Sequence, residues 1–185
     1  MNKNFKIGLI IQCVLLVSAC EKMITWDEFA LEKARYDGVE LKIDGYYYRL
    51  TEDGRCTSLH CFYNNGVLLY LGGLYPTTTE ADAYVRREFI ADHRYREMRT
   101  RWGLFEISNQ KIKFERYYNS DQLTKSAYIR EGRILNDSTF HITVSYRSDG
   151  SERSGMNEYR YFHKFEKPDS TNVIFKKNIN TLVSV

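Results

Sequence analysis

Short segments with the composition and period of β-strands, separated by turn residues, fill most of this chain. They constrain its fold more than any other feature. The segments SLHCFY and VLLYLGG flank Asn64-Asn65-Gly66, a strong hairpin signal because Asn and Gly tolerate the positive φ angles of a tight turn. The segment TFHITVSYR, residues 139–147, alternates apolar and polar side chains with the period of a strand. Together these patterns predict roughly eight or nine short strands, nearly all joined in sequential hairpins.

Sequential hairpins make neighbouring strands antiparallel, and a meander of this length tends to curl until its exposed edges meet. The sequence therefore predicts a mainly β protein with a single antiparallel up-and-down β-barrel. An open, curved β-sandwich is the alternative that the same strand pattern allows.

Two segments depart from the strand period and are predicted to be helical. Residues 25–38 start with capping residues, carry aromatic and apolar side chains at helical spacing, and end at a glycine. Further along, Thr77 and Glu80 form a capping box, and apolar residues follow three to four positions apart. We therefore expect a short N-terminal helix, and a second helix from about Glu80 to Met98 inserted between two strands.

The beginning of the chain has the order of parts found in an export signal. Lys3 and Lys6 precede the apolar run Ile7–Val17, which is about half of the roughly 20 residues that a membrane-spanning helix needs. Small residues then lead to Cys20, and VSAC, residues 17–20, resembles the lipobox of bacterial lipoproteins. The resemblance implies cleavage before Cys20 and attachment of several lipid chains to it, which anchor a protein stably to a bilayer. An ordinary secretory signal with an incidental cysteine is the alternative.

These features divide the chain into four parts. The predicted parts are a lipoprotein signal peptide (1–19), a lipidated N-terminal segment with a short helix (20–37), a β-barrel domain (38–176) and a C-terminal tail (177–185). The resemblance implies a lipid-anchored protein of the bacterial cell envelope, at the outer membrane and facing the periplasm or the cell surface. The formal net charge of +3 falls to about +1 without the two signal lysines, so nucleic acid is not expected as a partner.

A set of loose motifs spread over most of the chain carries a second resemblance. The motifs are DGYYYR, FYNNGVLLYLGG, RWGLFEISNQKIKFE and GRILNDSTFHI. Together they are similar to the small lipoproteins with lipocalin-like barrels found in Bacteroidetes. The resemblance implies a cell-envelope barrel that can hold a ligand.

Cys56 and Cys61 are candidates for a disulfide, because an exported chain lives where disulfides persist. On one extended strand their Cα atoms would be roughly 16 Å apart. A disulfide requires about 7 Å or less, so bonding needs a turn or bulge between them. Two buried thiols are the alternative. A metal site formed by Cys56, His60 and Cys61 is not expected, because the sequence offers no fourth ligand nearby.

Aromatic and arginine residues on the first and last predicted strands are candidates for a binding pocket. Residues i and i+2 on a strand share a face, so each tyrosine pair lies wholly inside or wholly outside a barrel. Inward tyrosines with neighbouring arginines suit a small amphipathic or glycan-like ligand, whereas ordinary packing is the alternative. The candidate ligand-binding residues are Tyr46, Tyr48, Tyr159, Tyr161, Arg49 and Arg160.

The sequence predicts no catalytic residues, no cofactor and no enzymatic activity. It contains no nucleophile elbow, no phosphate loop and no helical pair of histidines. Two functions remain open. The first is a lipid-anchored module that binds a small molecule or glycan in its barrel, and the second is a structural envelope lipoprotein with a filled barrel that docks another protein.

Overall fold

The computed structural model describes residues 25–118, 124–172 and 175 of the 185-residue chain. Nine strands in this part form one sheet. The strands are β1 (Thr25–Trp26), β2 (Gly45–Leu50), β3 (Cys56–Phe62), β4 (Val67–Tyr75), β5 (Trp102–Ser108), β6 (Lys111–Tyr118), β7 (Thr124–Asn136), β8 (Thr139–Arg147) and β9 (Ser154–Lys164). The predicted signal peptide, Cys20 and the tail 177–185 lie outside the described residues.

Strands β2 to β9 form a closed, antiparallel, up-and-down barrel. Each strand pairs with the one that follows it, and β9 returns to pair with β2. The closing register sets Tyr48 opposite Tyr161 and Tyr46 opposite His163. This closed eight-strand arrangement confirms the predicted lipocalin-like barrel and rules out the open sandwich.

A helical segment is inserted between β4 and β5, as the capping box predicts. Helix α1 (Thr78–Val85) begins after Thr77, whose side chain accepts a hydrogen bond from the amide of Glu80. It continues as a π-helical stretch, Arg86–Ala91, which brings the helix to 14 residues. The N-terminal boundary is therefore set locally, by the cap that the sequence shows.

The inserted helix is shorter than the sequence predicts, because the chain turns at Asp92. Asp92 adopts an extended conformation, and its carboxylate accepts a hydrogen bond of 3.0 Å from the amide of Arg94. An aspartate that bonds nearby backbone in this way competes with continued helix. Two short turns, α2 (Arg94–Glu97) and a 3-10 turn at Arg99–Arg101, then lead into β5.

The N-terminal segment does not form the predicted helix. Strand β1 pairs in parallel with the start of β7, and residues 27–44, which we call the strap, follow without regular structure. The amides of Ala30 and Leu31 donate to the carboxylate of Glu115 at 2.9 and 2.8 Å, and the amide of Tyr36 donates to the carbonyl of Asn64. The strap thus bonds its backbone to the barrel wall, and this replaces the internal hydrogen bonds of a helix.

Apolar side chains form two separate layers on the two faces of the barrel wall. One layer fills part of the interior, and the other lies between the outer face of β2–β5 and the inserted helix. The interior layer includes Tyr47, Phe62, Leu68, Phe105, Ile112, Phe114, Ile134, Phe140 and Ile142. The outer layer includes Tyr46, Leu59, Cys61, Leu69, Leu71, Ala81, Val85, Phe89 and Trp102. Strands β2–β5 are therefore covered on both faces.

Candidate functional site: the arginine-lined half of the barrel

The interior of the barrel has an apolar half that is packed with aromatic rings. The rings of Tyr47, Phe62, Phe105, Phe114 and Phe140 contact one another at centroid distances from 4.9 to 6.4 Å, mostly edge to face or tilted. Each of these side chains is buried almost completely. This half has the composition and packing of an ordinary protein core.

The strap closes the apolar end of the barrel. Tyr36 and Leu41 of the strap are buried against the interior aromatic layer. The Tyr47 hydroxyl lies 3.0 Å from the carbonyl oxygens of both Lys42 and Asp137, so it ties the strap to the β7–β8 turn. Access to the barrel interior is therefore left to the other end or to the barrel wall.

Charged side chains line the other half of the interior. Arg130 lies opposite Phe114 in the β6–β7 register, and Arg160 lies opposite Phe140 in the β8–β9 register. Opposite residues in antiparallel strands share a face, so these arginines point inward next to the aromatic layer. We call the inward charged set the arginine cluster; its members are Arg49, Arg116, Arg130, Glu158 and Arg160.

Glu158 is the shared anionic partner of three of these arginines. Arg130 Nη1 lies 3.2 Å from its carboxylate, Arg49 Nη1 lies 3.6 Å away, and Arg160 Nη2 donates a hydrogen bond to it. In the described part of the chain, this cluster thus holds four guanidinium groups and one carboxylate, and three of the arginines pair with that carboxylate. Burial of unequal charge is costly, so the cluster holds an excess of positive charge at an energetic cost.

Arg116 is held between two aromatic rings. Its guanidinium carbon lies 3.7 Å from the ring centroid of Tyr70 and 3.6 Å from that of Tyr118, and Nη1 donates to the carbonyl of Tyr117 at 3.0 Å. Burial lowers the pKa of Arg116, and it lowers the pKa of Arg160 to about 10. Arg160 therefore remains charged near neutral pH.

His60 contributes a neutral ring to the same region. It is fully buried, and burial together with the charges of Arg160, Arg116 and Arg130 holds its pKa well below the usual value. Its Nδ1 lies 2.7 Å from the carbonyl of Ser58, which assigns the proton to Nδ1. Nε2 is then a hydrogen-bond acceptor without a partner among the described residues.

Buried polar atoms without partners concentrate in this half of the barrel. Native proteins leave few such atoms, and each one calls for a physical explanation. Arg160 is the clearest case, because its side chain is 0% exposed while Nε and Nη1 have no hydrogen-bond acceptor among the described residues. The unpartnered atoms in this half are Arg49 Nε, His60 Nε2, Arg116 Nε, Tyr118 Oη, Arg130 Nε and Arg160 Nε and Nη1.

A cleft of about 280 Å³ in the barrel wall reaches the cluster at Arg116. It arises because β4 and β5 pair only between residues 67–69 and 102–104, so β4 then diverges from its neighbour. Gly72 lines the cleft at φ 76°, and a Cβ there would lie 2.6 Å from a guanidinium nitrogen of Arg101. The positive φ favours glycine at this position beside Tyr70, whereas the Arg101 side chain could move aside.

The structure separates the six predicted pocket residues into two groups. Arg49 and Arg160 point into the barrel and belong to the arginine cluster. The predicted inward placement of tyrosines is wrong for the other four, because Tyr47 lies inward between Tyr46 and Tyr48, and Arg160 lies inward between Tyr159 and Tyr161. The tyrosines on the outer face are Tyr46, Tyr48, Tyr159 and Tyr161.

Among the outer tyrosines, Tyr46 bonds directly to the inserted helix and Tyr48 packs against the apolar layer beneath it. The Tyr46 hydroxyl donates to the Asp82 carboxylate at 2.9 Å, and His163 Nε2 lies 3.1 Å from the other carboxylate oxygen. Tyr48 packs against Tyr46 and Tyr161 on the same face. These tyrosines therefore serve packing between helix and barrel, the alternative that the sequence left open.

Sequence reasoning missed most of the cluster. Arg116, Arg130 and Glu158 of the cluster lie on predicted strands, as does His60 beside it, but nothing local marks these residues as inward. One signal was present in KIKFERYY, where Ile112, Phe114, Arg116 and Tyr118 share a face. An arginine in register with two core residues on one strand indicates a charge that points inward.

Cys56 and Cys61 are free thiols, and both are buried. Ser58, at φ 55°, lies between them, and the pairing of β3 with β4 shifts register next to it. The shift places both cysteines on the helix-covered face, although an odd spacing on a regular strand predicts opposite faces. Burial raises the pKa of both thiols, that of Cys61 to about 12.

The described residues contain neither a metal-binding group nor a membrane-spanning helix. Among the described residues, no group of three His, Cys, Asp or Glu side chains is placed to hold a metal ion. Within the same residues no helix has the length and apolar character needed to cross a membrane. Comparison with protein-family models, curated proteins and solved structures finds no significant match for this chain.

Proposed function

We propose that this protein is a lipid-anchored binding protein of the cell envelope that holds a small polar ligand in the arginine-lined half of its barrel. The observation that carries the proposal is the set of buried donors and acceptors without partners, above all those of the fully buried Arg160. A protein that only needed a filled barrel would be more stable with apolar side chains at these positions. Retaining them is expected where a ligand supplies the missing hydrogen bonds.

The packing of the interior limits what kind of ligand fits. The apolar half is occupied by the rings of Tyr47, Phe62 and Phe140, so a long hydrocarbon tail has no place there. The ligand instead contacts Tyr70, Tyr118 and the arginines, whose rings and guanidinium planes offer stacking and hydrogen bonds. A small polar or glycan-like molecule satisfies these surfaces better than a lipid-like one.

The lipid anchor that VSAC predicts would place this half of the barrel near the membrane. Thr25 pairs with Thr124 at the start of β7, the end of the strand that lies next to Tyr118. Cys20 and Thr25 are five residue steps apart, and an extended chain of that length spans at most about 18 Å. A lipidated Cys20 would thus hold the arginine-lined end close to the bilayer surface.

Native mass spectrometry of the full chain, purified from envelopes in detergent, tests the proposal. Ser145 lies opposite Arg130 across β7 and β8, so Ser145→Phe fills the polar half while keeping every arginine. We expect a small molecule bound to the unmodified protein and at least a tenfold lower bound fraction in Ser145→Phe. Ser108→Phe, at an exposed position beside the β5–β6 turn, is the matched control and should keep the ligand.

The structural alternative makes the opposite prediction. If the cluster only stabilises the barrel, no small molecule accompanies the protein, and Ser145→Phe changes stability alone. The packed apolar half is the feature that favours this second function, an envelope lipoprotein that docks another protein. Absence of a bound molecule from both proteins, together with co-purification of a protein partner, would replace our proposal with it.

A further inference from the structure

We propose that the arginine cluster recognises a phosphate group, so that the ligand is a soluble phosphomonoester or the phosphate headgroup of a lipid whose tails stay outside the barrel. This inference rests on the proposed function and specifies the chemistry of its ligand. Four guanidinium groups from β2, β6, β7 and β9 converge on one region of the barrel interior. Guanidinium groups match the oxygens of phosphate in both charge and geometry.

The number of free donors favours phosphate over a neutral ligand. Arg160 is fully buried and offers two nitrogen donors without partners, while Arg49 and Arg130 each offer Nε. A phosphate monoester brings three acceptor oxygens and a charge of about −1.5 to −2 near neutral pH. It therefore offsets more of the excess positive charge than a single carboxylate would, and a neutral sugar would offset none of it.

Glu158 would compete with a bound phosphate for the same guanidinium groups. Its carboxylate now bridges Arg49, Arg130 and Arg160, the donors that a phosphate would use. A bound phosphate has to share these guanidiniums with Glu158 and is repelled by it. Removing that charge while keeping the side-chain shape should therefore tighten phosphate binding, which a purely structural ion pair would not produce.

The test uses calorimetric titration of the full chain in detergent with five probes. Inorganic phosphate and glycerol phosphate represent a soluble source, and short-chain phosphatidic acid represents a lipid source. Short-chain phosphatidylcholine, whose phosphate carries no net charge with its choline, is the matched lipid control. Citrate tests whether the cluster binds any polyanion, with or without phosphate.

Three variants accompany the unmodified protein. Arg49→Gln is chosen because its side chain is 38% exposed, so the protein should still fold, and it should weaken binding about tenfold. Glu158→Gln should tighten binding severalfold. Arg35→Gln, on an exposed arginine of the strap, should leave affinity unchanged.

Each outcome decides the inference. Binding of phosphate or glycerol phosphate with this variant pattern supports a soluble ligand, and the same pattern with phosphatidic acid alone supports a lipid headgroup. The inference is overturned if no phosphate probe binds, if citrate binds as well as phosphate, or if Arg49→Gln and Glu158→Gln leave affinity unchanged. A neutral molecule found by mass spectrometry would refute the phosphate inference while leaving the binding function intact.

Discussion

Arg147 donates two hydrogen bonds of 2.8 Å, from Nε and Nη2, to the two carboxylate oxygens of Asp27, which lies 120 residues earlier in the chain. Asp27 also accepts a hydrogen bond from the amide of Ala127. The three groups join the beginning of the strap to β7 and to the end of β8. This arrangement fixes the strap at the arginine-lined end of the barrel, while Tyr36 and Leu41 fix it at the apolar end.

Asp27→Asn should weaken the fold in a way that depends on pH. The hydrogen bonds from Arg147 hold the pKa of Asp27 below its ordinary value, so the carboxylate contributes stability above its unfolded pKa of about 3.9. That contribution is lost as the pH falls through the unfolded and then the folded pKa. The variant should therefore melt at a lower temperature than the unmodified protein at pH 7, with a smaller difference near pH 2.

Thermal unfolding between pH 2 and pH 7 measures this effect. Asp37→Asn is the control, because Asp37 pairs only with the exposed Arg35 within the strap. It should leave the melting temperature nearly unchanged. A difference for Asp27→Asn that is constant over the whole pH range would contradict the ion pair as its cause.

Tyr47→Ala should destabilise the barrel far more than Tyr48→Ala, although the two residues are adjacent. Tyr47 is buried in the interior aromatic layer, and its deletion should cost about 3 to 5 kcal/mol. Tyr48 lies partly exposed on the outer face and should cost less than half as much. Denaturant unfolding measures both free energies, and equal losses would mean that the inward and outward faces of β2 are assigned wrongly.

Tyr47→Phe separates packing from hydrogen bonding at the same position. The ring remains, but the hydroxyl contacts with the carbonyls of Lys42 and Asp137 are lost. We expect a loss of about 1 kcal/mol in the free energy of unfolding. An unchanged free energy would show that these contacts do not hold the strap in place.

Thr77→Ala should destabilise the protein by about 1 kcal/mol, because it removes the side-chain cap of the inserted helix. Thr79→Ala is the matched control. Thr79 is the second residue of the helix, its side chain is exposed, and alanine suits a helix. Chemical denaturation of both variants provides the comparison. A similar loss for the two substitutions would indicate that the cap is not the cause.

Cys56 and Cys61 should resist alkylation while the protein is folded. Both thiols are buried, and their raised pKa values keep them protonated at pH 8, where the reactive form is the thiolate. Labelling with iodoacetamide followed by peptide mass spectrometry should modify them only after unfolding in denaturant. A linked Cys56–Cys61 peptide from protein isolated without reductant would instead show the disulfide that the sequence allows.

Cys20→Ala should abolish membrane anchoring if VSAC is a lipobox. The variant should accumulate uncleaved or appear in the soluble fraction, whereas the unmodified protein should partition into the detergent phase. Cys13→Ala, in the apolar run of the signal, is the matched control and should partition normally. Detergent partitioning of Cys20→Ala like that of the unmodified protein would sink the lipoprotein interpretation.

The strands and the start of the inserted helix were predictable because they depend on local chemistry. Asn64-Asn65-Gly66 specifies a turn by the φ angles its residues accept, and Thr77 specifies a cap by the oxygen it presents. The closure of the barrel was predictable in the same way, since a long antiparallel meander removes its edges by pairing its first and last strands.

The inward and outward faces were not predictable, and they decide the candidate site. Tyr46 and Tyr47 are both buried, one beneath the helix and one inside the barrel, so hydrophobicity alone does not show which face of β2 is inward. Alternation of apolar and polar residues along a strand shows which face is inward only when the other face meets water. Strand registers set by long-range pairing place Arg116, Arg130 and Arg160 together, and no local pattern contains that information.

The sequence by itself determined most of the segments: most of the strands, the turn at Asn64-Asn65-Gly66, the start of the inserted helix, and the signal-like pattern before Cys20. The tertiary structure alone decided the rest. It decided that residues 27–44 run as a strap, because Glu115 and Asn64 offer partners to their amides. It also decided that four arginines meet inside the barrel, because barrel closure brings together strands that lie far apart in the chain.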